Sequence, residues 1–117
     1  ASSGVVSLIP DYVGFGQSSF LTKSLSSKLY SQASIPLWLQ AQSVISNMTN
    51  NCTQLDNVAT VGGYSEGGIS SFAVSLALHD LGVEILSCNS GAASFDVVGF
   101  LQWHLREFDQ GTMETFV

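Results

Sequence analysis

Ser65 stands in Gly63-Tyr64-Ser65-Glu66-Gly67, followed at once by Gly68. In this spacing a serine at a tight strand-to-helix turn can present its hydroxyl as a nucleophile toward a carbonyl carbon. The spacing has a steric reason. A serine held in that turn has strained backbone angles, and side chains two positions to either side would strike the neighbouring strand or the start of the helix. Glycine at 63 and 67 is expected to remove those collisions. The N–H of Glu66 would then lie at a helix N-terminus, whose dipole favours a developing oxyanion.

Such a serine needs a strand before it and a helix after it, and both are legible. Asn57 to Gly62 is a β-branched and small-residue run without helical spacing, which predicts a short strand buried on both faces of a parallel sheet. Beyond the turn, Ile69, Phe72, Ala73, Leu76 and Ala77 recur at helical spacing up to His79, and Gly82 supplies a C-terminal stop. Val83 to Ser87 predicts the next strand, with Asn89 to Ala93 as a small-residue turn on the same side as Ser65.

Upstream, the apolar run Gly4 to Ile9 predicts a further buried strand, leading into Pro10-Asp11-Tyr12-Val13-Gly14-Phe15-Gly16-Gln17-Ser18. The serine-rich stretch from Ser18 to Ser34 is expected to cross the surface above the site. Pro36 is expected to open a helix running through Leu37, Leu39, Ala41, Val44, Ile45 and Met48, with Ser34 as its N-cap. Asp96 is placed to cap a last helix from about Val97 to Glu107.

Strand, Asp-x-x-Gly-x-Gly-x-Ser, helix, strand, Gly-x-Ser-x-Gly-Gly: this order resembles the middle of an α/β-hydrolase. The Pro-Asp-Tyr-x-Gly-x-Gly opening together with Gly-Tyr-Ser-x-Gly-Gly is similar to secreted lipases and esterases of that fold, over about residues 4 to 100. The resemblance implies an α/β fold class: parallel strands with crossover helices, about three strands of a larger sheet. It implies a serine hydrolase cleaving carboxylic esters, with a small-molecule or lipid ester as substrate and no cofactor. A serine peptidase of the same fold and a non-catalytic relative used as a binding module are the rival readings. Residues 97–117 would be the start of a cap or lid, whose aromatics either line an acyl pocket or pack as in any helix.

The resemblance also sorts the other polar residues. Its triad order is serine, then acid, then histidine. Asp11 precedes Ser65 and is therefore expected to hold the Gly14 and Gly16 loop in shape through its carboxylate. Asp96 follows the strand after the turn, where a minority of lipases carry the acid, and competes there with helix capping. His79 ends the helix that leaves the turn, roughly 20 Å from Ser65 by helical rise, and His104 shares a predicted helix with Asp96. Neither suits the catalytic base, which is expected to lie outside this sequence along with a second oxyanion donor. Glu66 would act through its N–H, with the carboxylate pointing outward.

The 117 residues supply three strands where that fold has about eight, and they open inside an apolar run without an initiator methionine, so they are expected to be an internal part of a larger protein, one partial domain. Charged residues make up 10% of the chain, against about 25% in soluble domains, which suits the buried centre of a larger sheet. The net charge of −6, with Lys23, Lys28 and Arg106 as the cations, offers nucleic acid no basic patch. No apolar run has the length of a transmembrane helix. The cysteine and histidine spacings hold no zinc motif, and Gly14-Phe15-Gly16 lacks the remaining residues of a phosphate-binding loop.

Asn47-Met48-Thr49 and Asn51-Cys52-Thr53 are both glycosylation sequons in one polar stretch, an arrangement that fits a secreted protein. Cys52 and Cys88 are expected at sheet ends on neighbouring connections. A disulfide between them is one option; pairing with absent parts of the chain, or free thiols, are the others.

Overall fold

The computed structural model describes residues 4–17 and 26–109. The regular elements run α1 (Ser27–Met48), β1 (Val58–Tyr64), α2 (Glu66–Asp80), β2 (Glu84–Gly91) and α3 (Val97–Asp109). The fold is mixed α/β. β1 and β2 pair in parallel, with Val58 opposite Glu84 and Tyr64 opposite Gly91, and α2 is the crossover between them. Leu86 is the extra residue in this ladder, since Ala59 pairs with Ile85 and Thr60 with Ser87.

α2 ends by the chemistry that Gly82 makes available. At φ +80° the glycine lets its N–H reach the His79 carbonyl at 2.8 Å and turns Val83 N–H back to the Leu78 carbonyl at 3.0 Å. These two bonds satisfy terminal carbonyls and aim the chain straight into β2. Leu78, Val83 and Ala59 form the buried core, against which Ile35, Trp38, Val61, Val74 and Ile85 pack.

Besides the turn expected at Asn89 to Ala93, whose first three residues extend β2 to Gly91, three expectations change. β1 is not buried on both faces among the described residues: Ala59, Val61 and Gly63 turn inward while Thr60, Gly62 and Tyr64 are exposed, the period-two pattern of a sheet covered on one side. α1 begins at Ser27, so Pro36 lies inside it and not at its start. Although proline removes one backbone donor, α1 continues on both sides of it because Tyr30 and Ala41 are buried by tertiary packing. Ser34 is accordingly no N-cap.

The third change concerns Gly4 to Ile9, which forms no strand. The segment and β1 both line a cavity of about 650 Å³, to which the segment contributes Val5 and Leu8 and the strand contributes Val58 and Val61. An apolar run favours burial but sets no pairing by itself. Part of the expected Ser18–Ser34 surface crossing, residues 18–25, and the far end of the expected lid, residues 110–117, lie outside the described residues.

Candidate active site

Ser65 occupies the single residue between β1 and α2, at the carboxyl end of the two parallel strands, and is exposed. Its backbone stands at φ 57°, ψ −118°, a region that costs about 1–3 kcal/mol for a residue with a side chain. Three hydrogen bonds hold it there. Its N–H donates to the Gly91 carbonyl at 2.8 Å, and its own carbonyl accepts from Gly68 N–H at 2.9 Å and Ile69 N–H at 3.3 Å. The hydroxyl makes no capping bond to its own helix.

The glycines around it differ in what they do. A Cβ on Gly63 would fall 2.9 Å from Gly67 Cα and closer still to the Gly67 carbonyl, so strand and helix touch there without room for a side chain. Gly67 itself would carry a Cβ into open space. The steric role expected for Gly67 belongs instead to Gly68, whose Cβ would lie 2.6 Å from the Gly91 carbonyl and 2.9 Å from Ala93 Cβ. The Gly68 carbonyl accepts from the Ser71 hydroxyl within the helix at 2.9 Å and from the Ser90 hydroxyl, and the bond from Ser90 fastens the first turn of α2 beside β2.

Glu66 opens α2, so its N–H is one of the donors that no helical carbonyl reaches. Its carboxylate is half-buried and turned toward α1, where it accepts from the Tyr30 hydroxyl at 2.8 Å. Tyr30 is 2% exposed. Its ring packs on Tyr12 with centroids 5.0 Å apart, and the Tyr12 hydroxyl is hydrogen-bonded to Ser70 Oγ, one turn along α2. Tyr12 thereby brings the Asp11 to Gly16 loop to the first turn of α2.

Within that loop Gly14 and Gly16 have φ of 97° and 63°, and the Asp11 carboxylate lies where a Cβ on Gly16 would come within 2.5 Å of it. The loop is therefore built around Asp11, with Phe15 N–H closing a turn on the Tyr12 carbonyl at 2.9 Å.

Asp96 caps α3: its Oδ1 accepts from Gly99 N–H at 2.9 Å and its carbonyl from Phe100 N–H at 2.9 Å. His79 is exposed at the end of α2, 3.9 Å from Asp80. His104 is used within α3, with Nδ1 2.9 Å from the Phe100 carbonyl and its ring 4.0 Å from the Phe100 ring. α3 packs against no other described element and exposes Val98, Leu101, Trp103 and Leu105.

Comparison with protein-family models, with curated proteins and with solved structures finds no match to this chain.

The disulfide option between Cys52 and Cys88 does not hold: both are exposed free thiols. Cys52 lies six residues before β1 begins, while Cys88 sits within β2 opposite Val61. Asn47, in the last turn of α1, and Asn51, at φ 62° in the turn that follows, are exposed. No helix is long and apolar enough to cross a membrane among the described residues.

Sequence reasoning missed Tyr30, Ser70 and Gly91. Tyr30 fell in a stretch read as surface crossing, and only the apolar context Leu29-Tyr30 at the start of a helical register hinted at burial.

Proposed function

We propose that this chain carries the nucleophile of a serine hydrolase that cleaves carboxylic esters, lipid esters among them, in the manner of the α/β-hydrolases it resembles. The observation that carries the reading is the backbone of Ser65. A non-glycine residue at φ 57°, ψ −118°, exposed between a parallel strand and a helix N-terminus, holds strain that ordinary turns avoid and that functional sites retain.

In this mechanism Ser65 Oγ attacks the ester carbonyl while its proton passes to a histidine. The carbonyl oxygen becomes an oxyanion and is met by the N–H of Glu66. Collapse of the tetrahedral intermediate expels the alcohol, which takes the proton, and leaves an acyl group on Ser65. Water, deprotonated by the same histidine, then releases the acid. His79 and His104 are both engaged away from the turn, so the histidine is assigned to a longer protein of which this chain is part. The exposed sequons at Asn47 and Asn51 support glycosylation and secretion of that protein.

The test is fluorophosphonate labelling of the full-length protein, followed by mass mapping of the modified peptide. An adduct on Ser65, absent from Ser65→Ala, is expected. A folded sample with no adduct overturns the reading in favour of a binding protein. A panel of acyl esters and aminoacyl amides separates esterase from peptidase.

A further inference from the structure

We propose that Tyr30 is a positioning residue, which holds the Glu66 carboxylate away from the oxyanion that the Glu66 N–H receives; this rests on the reading of Ser65 as the nucleophile. The residue after Ser65 has two opposed properties. Its N–H stabilises negative charge at the substrate carbonyl, and its side chain carries negative charge of its own. A carboxylate turned to the substrate side would oppose the tetrahedral intermediate through a short, partly desolvated distance.

The structure directs it elsewhere. Glu66 Oε1 accepts from the Tyr30 hydroxyl at 2.8 Å, a charge-assisted bond of the stronger kind. The donor is itself immobilised. Tyr30 is 2% exposed, and its ring packs against Tyr12 in a tilted contact, with centroids 5.0 Å apart. Tyr12 is tied through its hydroxyl to Ser70 Oγ, which donates to the Gly67 carbonyl at 3.0 Å. The chain of contacts begins and ends on the first turns of α2, so donor and carboxylate keep their relation when that turn moves. Tyr30 reaches the site from α1, 35 residues before Ser65 in the chain.

The experiment measures ester turnover and the rate of fluorophosphonate modification of Ser65 in the full-length protein, comparing wild type, Tyr30→Phe, Glu66→Gln and the double variant. Tyr30→Phe is expected to lower kcat and the labelling rate about tenfold with KM unchanged, and to change them less than twofold in the Glu66→Gln background, where no charge remains to be held. Equal slowing in both backgrounds overturns the inference, because a merely structural tyrosine would act whatever the charge at position 66. Should Tyr30→Phe fail to fold, Glu66→Asp serves in its place: its shorter carboxylate keeps the charge but loses the reach to Tyr30. Glu66→Asp is expected to be about tenfold slower than Glu66→Gln, and equal rates overturn the inference. Wild-type protein that is not labelled at Ser65 overturns the nucleophile reading, and the inference with it. Labelled wild type with additive variants overturns the inference alone.

Discussion

The amide of Ser65 donates to the carbonyl of Gly91 across 2.8 Å. Tyr64 pairs with Gly91 in the ladder, so this bond carries the β1 to β2 pairing one residue past the strand and into the turn. The turn's conformation is thus enforced from the sheet side as well as by α2.

That enforcement predicts stored strain at Ser65. Replacing it with glycine, which adopts φ 57° without cost, should raise stability toward unfolding by about 1 kcal/mol after allowing for the greater freedom of the unfolded chain. Ser65→Ala, which keeps a Cβ, should leave stability near the wild-type value while abolishing labelling. Denaturant unfolding of the two variants checks the contrast, and a Ser65→Gly protein no more stable than Ser65→Ala contradicts the strain.

Gly67 and Gly68 are adjacent and chemically identical, yet the structure assigns them opposite tolerance. Gly67→Ala puts its methyl into open space within a helix and should stabilise by about 0.5–1 kcal/mol. Gly68→Ala drives its methyl against the Gly91 backbone and should cost about 1–3 kcal/mol. Thermal unfolding of the pair decides the matter. The same sign for both substitutions would show that the helix does not approach β2 as described.

Asp96 can be tested for both of its roles by two substitutions. Asparagine caps helices about as well as aspartate, so Asp96→Asn should preserve both stability and turnover, whereas Asp96→Ala should lose about 1 kcal/mol through the bond to Gly99. A fall in turnover by a thousandfold or more in Asp96→Asn would instead make Asp96 the triad acid.

How much of this was legible depended on how local the cause was. The bounds of α2 follow from its own apolar spacing and from Gly82, and β1 from its β-branched run. Position 63 was readable because its clash is with Gly67, four residues away. Position 68 was not, because what it meets, Gly91 and Ala93, arrives from the end of β2 and from just beyond it. α1 begins nine residues before Pro36 because Tyr30 is held by Tyr12 and Glu66, a tertiary cause that no local preference for a proline start conveys. Gly4 to Ile9 shows the converse: apolar residues in a row, without a partner whose register they meet.

Serine is among the commonest residues to cap a helix with its own side chain, and it does so from extended backbone angles. Ser65 begins α2 from the opposite side of φ, and its hydroxyl makes no such bond. The distortion therefore keeps two things available together: an oxygen not committed to its own helix, and first-turn amides not occupied by that oxygen. Any change that let residue 65 relax to extended angles would allow the hydroxyl to fold back onto those amides. In the mechanism proposed above, the attacking oxygen would then be tied to its own helix, so at this residue local relaxation and loss of reactivity would be one movement.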